Sequence, residues 1–138
     1  MDTILLVAGS VEWNDPRPVE ARLAATVDRV GEQLLVLHTD QRGAARIAAA
    51  WCERGGVQHR AVPADYRYGW RAWEARYRSM LDLLLDARDR GVADVEVAVF
   101  RLPGDVLLRW VVDAAREHGI RGHQYAPAQV AAATDLVE

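Results

Sequence analysis

The sequence predicts an α/β protein, a Rossmann-like three-layer sandwich with a mainly parallel five-stranded sheet in the order 3-2-1-4-5 and helices on both faces. Three observations carry this. The hydrophobic period switches regularly between strand-like runs and helical stripes, as in a parallel sheet covered on both sides. The strand ends run into glycine or a turn, beginning with Ile4-Leu5-Leu6-Val7-Ala8-Gly9-Ser10 almost at residue one. Right-handed crossovers between such units then give the strand order most simply.

Taken along the chain, strands are expected at Thr3–Gly9, Gln33–His38, Val57–Val62, Val95–Phe100 and Ile120–Tyr125. The first helix starts near Asp15-Pro16, a capping acid followed by the ring that suits the first helical position, and ends at Gly31. The second runs from about Gly43 to Arg54 and stops at Gly55-Gly56. The third and longest runs from about Trp70 to Arg90, with Trp73, Tyr77, Met80, Leu81, Leu84 and Leu85 as one apolar stripe. The fourth runs from about Val106 to His118 and closes on Gly119. Residues 1–125 thus read as one domain. The Ala-rich residues 126–138 read as a C-terminal tail that packs at a subunit interface or frays.

Composition excludes several functions. The chain has 138 residues, enough for one domain with a real core but not for separate cofactor and substrate domains. Its net charge is -3, so no whole-surface field attracts nucleic acid or an anionic membrane. All 17 basic residues are Arg. Without lysine there is no Schiff base and no P-loop lysine, which removes aldolase-type, pyridoxal-type and Walker-type mechanisms. The single Cys52 has no disulfide or zinc partner and reads as packing. No basic leader or long apolar span is visible, so a soluble cytoplasmic protein is expected, with no resident metal or cofactor.

In a sheet of this order the ligand crevice lies outside the strand carboxyl ends, beside strand 1. The loops that matter are Gly9–Asp15, His38–Gly43, Pro63–Gly69 and Arg101–Asp105. Gly9-Ser10 suits backbone approach to a phosphate, although a lone glycine there often only makes the turn. Arg42 and Gly43 supply anion chemistry at a helix start, opposed by Asp40 unless it caps the helix or accepts a ribose hydroxyl. His38, ending a buried strand, is more naturally a hydrogen-bonded core residue than an acid or base. From Arg60 to Arg78 five arginines face Asp65 and Glu74, a local charge of +3 interleaved with aromatics. There Trp70 and Trp73 read as core anchors of the third helix, whereas Arg76 reads as a ligand contact.

Several segments together resemble the YspA-like branch of the SLOG superfamily. They are Gly9-Ser10 with Trp13, His38 with Arg42-Gly43-Ala44, Pro63-Ala64-Asp65-Tyr66, Tyr68-Gly69, Ala72, Arg76 and Met80-Leu81. Their order and spacing match over about residues 3–125. The resemblance implies a domain holding nucleotides or nucleotide-derived molecules, with Gly9 and Ser10 facing phosphate, Arg42-Gly43 in a second cradle, and Arg76 on an anion or ribose. The ligand-facing set drawn from the loops and the resemblance is Gly9, Ser10, Trp13, Thr39, Asp40, Arg42, Gly43, Asp65, Tyr66, Gly69, Arg76, Arg101, Pro103 and Gly104. Departures are visible as well. Val11 stands where the family usually has Arg, Thr39 and Asp40 replace a glycine pair, and Ala45 and Tyr77 replace Asp and Asn. The fourth loop keeps only Pro103-Gly104 of the family's glycine-rich turn.

Phosphoribohydrolases of the LONELY GUY type, within the same superfamily, need a complete phosphate cradle and a following acid, and neither is visible. The favoured reading is a binding domain that senses or sequesters a nucleotide, NAD or ADP-ribose type molecule. Alternatives are an N-glycosidase using Asp40, Asp65 or Asp105, and an interaction module that has lost its ligand. A homo-oligomer is expected because the domain is small and the third helix is long and aromatic.

Overall fold

The computed structural model describes residues 2–64 and 66–127. The expected tail therefore lies outside the described residues from position 128 onward. Strand β1 (Thr3–Gly9) is buried along its whole length and holds the centre of the sheet. It pairs in parallel with β2 (Leu34–His38) on one side and β4 (Asp94–Phe100) on the other. Edge strands β3 (Gln58–Ala61) and β5 (Arg121–Tyr125) complete an all-parallel sheet of order 3-2-1-4-5.

Strand periodicity divides the core into two layers. Ile4, Leu6 and Ala8 face α3 (Ala72–Asp89) and α4 (Val106–Glu117), while Leu5 and Val7 face α1 (Pro16–Val30) and α2 (Ala44–Gly55). Both faces of β1 are therefore covered, which is why its sequence is apolar without alternation. Fully burying each leucine there contributes roughly 1.5–3 kcal/mol. The edge strands, covered less, tolerate Gln58, Arg60, Arg121 and His123, all exposed.

Helix boundaries follow the capping chemistry. Asp15 caps α1, its carboxylate accepting the Arg17 amide at 3.1 Å, with Pro16 inside the start. Gly56 closes α2 in the left-handed conformation, its N–H bonding the Cys52 carbonyl.

The third helix differs from expectation. Tyr66–Arg71 forms a 3-10 segment kinked at Gly69, whose φ is 57°, so α3 begins only at Ala72. A backbone turned to positive φ cannot continue a right-handed helix. Trp70 and Trp73, expected as core anchors, are instead 84% and 42% exposed. In a parallel βα unit the helix starts at the strand carboxyl ends, so its first turn overhangs the sheet and has no strand to bury against. The buried stripe is Ala72, Arg76, Tyr77, Met80, Leu81 and Leu84.

The start of α2 presses directly on the end of β1. A Cβ built on Gly9 would stand 2.2 Å from Ala44 Cβ, and one on Gly43 would stand 2.3 Å from the Ser10 carbonyl oxygen. Gly43 also has a φ of 90°. Gly43→Ala should therefore destabilise the fold by roughly 2–4 kcal/mol, combining overpacking with the positive-φ cost. Gly56→Ala, at φ 66° but with nothing near its added methyl, should cost only about 1–2 kcal/mol. Urea unfolding of the two variants measures the difference, and equal losses would contradict the close approach at Gly43.

Candidate functional site

An open cleft of about 500 Å³ lies at the carboxyl ends of β1, β2 and β3. Its walls are the β2–α2 loop (Thr39, Asp40, Gln41, Arg42), the segment leaving β3 (Ala61, Pro63, Ala64), Val11 after β1, and Trp73 and Arg76 from the start of α3. The crossover geometry accounts for this gathering. Each loop leaves the carboxyl end of its strand, and α3 begins at the same end before crossing the sheet.

Arg76 is the most constrained charge at the cleft. It is only 6% exposed, its Nη1 donates to the Thr39 carbonyl at 3.3 Å, and its guanidinium lies 5.5 Å from the centre of the Trp73 ring. Side chains three apart on a helix share a face, so the indole and guanidinium stack at the cleft as a cation–π pair. Beside it the buried Tyr77 phenol is pushed up to about 12, chiefly by burial, with Arg76 and Thr39 pulling the other way. At neutral pH it is a neutral hydroxyl, so the positive field of Arg76 is not cancelled from that side.

The β2–α2 loop has an unusual backbone. Asp40 has a φ of 60°, and its amide donates to His38 Nδ1 at 3.2 Å. Its carbonyl accepts from Arg46 at 3.5 Å. Arg42 is exposed and paired with Glu12 across the cleft rim. Gly43, not Asp40, holds the N-cap of α2, with no side-chain cap.

Of the residues singled out in sequence, Thr39, Asp40, Arg42 and Arg76 come together at this cleft. Gly9 and Gly43 lie where α2 meets β1. The Ser10 hydroxyl is held between two partners, donating to Asp105 Oδ2 at 2.8 Å and accepting the Leu102 amide at 3.0 Å. Asp105 in turn caps α4 through the Leu108 amide at 3.4 Å. Ser10 and Asp105 thus latch the β1 loop to the start of α4. Trp13 is 2% exposed, packs edge-on against Phe100 at 5.7 Å, and donates its indole N–H to the Asp15 carbonyl at 2.6 Å.

The fourth loop is not part of the cleft wall. Arg101 donates to the Gln124 side chain at 3.1 Å, and Pro103 and Gly104 are exposed beside it. Gly69 is exposed in the 3-10 segment. Asp65 lies outside the described residues, and of Tyr66 only the backbone is described.

Sequence reasoning missed Trp73, Val11, Gln41 and Ala61 as wall residues. The spacing of Trp73 to Arg76 was the available signal, since an aromatic three residues before an arginine on a helix makes a cation–π pair.

The model of the YspA, cpYpsA-related SLOG family matches residues 3–69, which run from β1 through the loop after β3 and include most of the cleft wall. Over this stretch the chain is similar to the YspA-like SLOG family. Among solved structures, the C-terminal domain of a hydrogenase from Pyrococcus furiosus is similar at 15% identity and a TM-score of 0.47, covering 88% of this chain and 89% of that one. No curated protein matches. No helix among the described residues is long and apolar enough to cross a membrane. No group of three or more metal-ligating side chains occurs among them either.

Two outcomes follow for stability. Ser10→Ala leaves the Asp105 carboxylate and the Leu102 amide short of a partner, and should lower unfolding free energy by about 1–3 kcal/mol in urea titrations of the unliganded protein. His38 and His123 both titrate below the ordinary histidine value of 6.5, burial being the leading cause in each. Below that value the unfolded chain takes up protons that the folded chain refuses. Stability should thus be full above about pH 6.5 and fall as pH drops through the window beneath it. Urea midpoints at pH 7.5 and 5.5 measure the loss, and His38→Gln should reduce but not abolish it.

Proposed function

We propose that this protein is a binding domain for a nucleotide-derived small molecule of the nucleotide, NAD or ADP-ribose type, held in the cleft between the β2–α2 loop and the start of α3. The observation that carries the reading is Arg76, a buried guanidinium at the wall of an open cleft, stacked on a half-exposed tryptophan. That pairing offers an anion a charge-assisted fork and a planar ring an aromatic neighbour. Similarity to the SLOG family over residues 3–69 supports a nucleotide-related ligand. A binder is favoured over a glycosidase because Asp105 is committed to capping α4 and holding Ser10. Among the described residues Asp40 is the carboxylate that lines the cleft, and it carries the alternative enzymatic reading.

A panel of AMP, ADP, ADP-ribose and NAD, followed by thermal shift and by product chromatography, tests both readings. Stabilisation without turnover is the expected result. Turnover would replace the binder with an enzyme, and no response to any member would remove the nucleotide reading. For a molecule that binds, Arg76→Lys keeps the charge but loses the planar fork. It should weaken affinity about tenfold to a hundredfold, or roughly 1.5–3 kcal/mol, by isothermal titration. Undiminished affinity would place the anion elsewhere.

A further inference from the structure

Behind the cleft loop stand two histidines whose hydrogen bonds leave each ring one arrangement of protons. The Asp40 amide donates to His38 Nδ1, so that nitrogen is an acceptor and the neutral ring carries its proton on Nε2. His38 Nε2 lies 2.9 Å from His59 Nδ1, which must then accept. The His59 proton is therefore on Nε2, which donates to Glu53 Oε1 at 2.8 Å. The result is a directed chain from the Asp40 amide, through both imidazoles, to a carboxylate near the end of α2. The rings lie edge to edge, their planes 26° apart and their centroids separated by 5.1 Å, and His38 is 2% exposed.

We propose that this chain is a proton-operated catch on the Thr39–Arg42 loop, in which one added proton on the histidine pair releases the Asp40 amide and loosens the cleft wall. The argument is one of matching donors to acceptors. A proton on His38 Nδ1 sets two N–H groups against each other at a separation of 3.2 Å. A proton on His59 Nδ1 faces the N–H already on His38 Nε2. His38 can accommodate it only by moving its own proton to Nδ1, which again confronts the Asp40 amide. Every singly protonated state of the pair therefore breaks a bond in the chain.

Asp40 is poorly placed to lose that bond, because a non-glycine residue at φ 60° persists only where its surroundings hold it. The same loop presents the Thr39 carbonyl to Arg76, so its release disturbs the guanidinium at the cleft. Charged groups approach the pair from each packed element: His59 from β3, Glu53 from α2, and Asp40 from the loop, with Arg46 of α2 donating to the Asp40 carbonyl. Burial of His38, followed by His59, outweighs Asp40 and moves the His38 midpoint below the ordinary 6.5. The catch is therefore closed at neutral pH and opens on acidification. Its bearing on ligand binding rests on the cleft being the ligand site, but the catch itself is tested without ligand.

The test is a pH titration of the ¹⁵N-labelled unliganded protein by NMR from pH 8 to 5, reading the imidazole nitrogens, the Asp40 amide and the Trp73 indole N–H. Expected at pH 8 are the Nε2–H tautomers of both histidines. On acidification the Asp40 amide and Trp73 indole signals should shift with the His38 midpoint, below 6.5. His38→Gln should abolish the shared titration. His59→Gln, at the edge strand, should move the Asp40 midpoint to higher pH by removing the neighbouring imidazole. An Nδ1–H tautomer on His38 at pH 8, or an Asp40 amide that stays unchanged while His38 titrates, overturns the proposal.

Discussion

The approach of α2 to the end of β1 is the constraint on which the rest of the site depends. Ala44 sits where a side chain on residue 9 would be, and the Ser10 carbonyl sits where a side chain on residue 43 would be. Glycine at both positions lets the helix start lie flat on the central strand. That contact sets the height at which the β2–α2 loop leaves the sheet, and so the distance from Thr39 and Asp40 to Arg76 across the cleft. In the family pattern a glycine pair precedes this helix, and here Thr39 and Asp40 occupy it. Asp40 nevertheless keeps a left-handed backbone, at φ 60°, with the His38 ring accepting its amide. The geometry a glycine would adopt freely is here held by a side chain.

The all-arginine basic set is spent largely on architecture. Glu96, with its side chain 3% exposed on β4, is bracketed by Arg22 at 2.9 Å and Arg29 at 2.5 Å. Arg29 and Arg121 also reach Asp94 nearby, at 3.3 and 2.6 Å. These pairs tie α1 and β5 to the same end of β4; only Arg22–Glu96 is buried on both sides, and removing one partner of a buried pair costs about 3–5 kcal/mol. The guanidinium forks suit this because several can share one carboxylate. Exposed pairs such as Arg78–Glu74 and Arg90–Asp86, both one helical turn apart, contribute far less. Arg76 differs in place rather than kind, being buried at the wall of a cleft instead of between a helix and a strand.

Chemistry at the strand ends is divided between two loops. The β1 and β4 ends are closed by the Ser10–Asp105 latch and the packing of Trp13 on Phe100. The β2 and β3 ends, with Val11 after β1, stay open and form the cleft wall. Asp105 both caps α4 and accepts the Ser10 hydroxyl, so its two oxygens are committed to the latch.

By itself the sequence determined the sheet order, the bounds of α1, α2 and α4 to within a residue or so, and the likeness of residues 3–69 to the SLOG family, because those depend on local periodicity, caps and turn residues. It also made Arg76 legible as something other than a solvated charge. Tertiary structure decided which loops open and which close. Trp73 continues an apolar stripe at helical spacing, yet its turn of α3 overhangs the strand ends and it becomes a cleft wall. Ser10 and Asp105, 95 positions apart, satisfy each other across the sheet. His38 and His59 become one hydrogen-bonded chain only because β2 and β3 pair in the register that brings their ring edges together. Pattern along a chain encodes which face of an element is apolar, whereas the partner a polar group meets depends on how the strands cross and register.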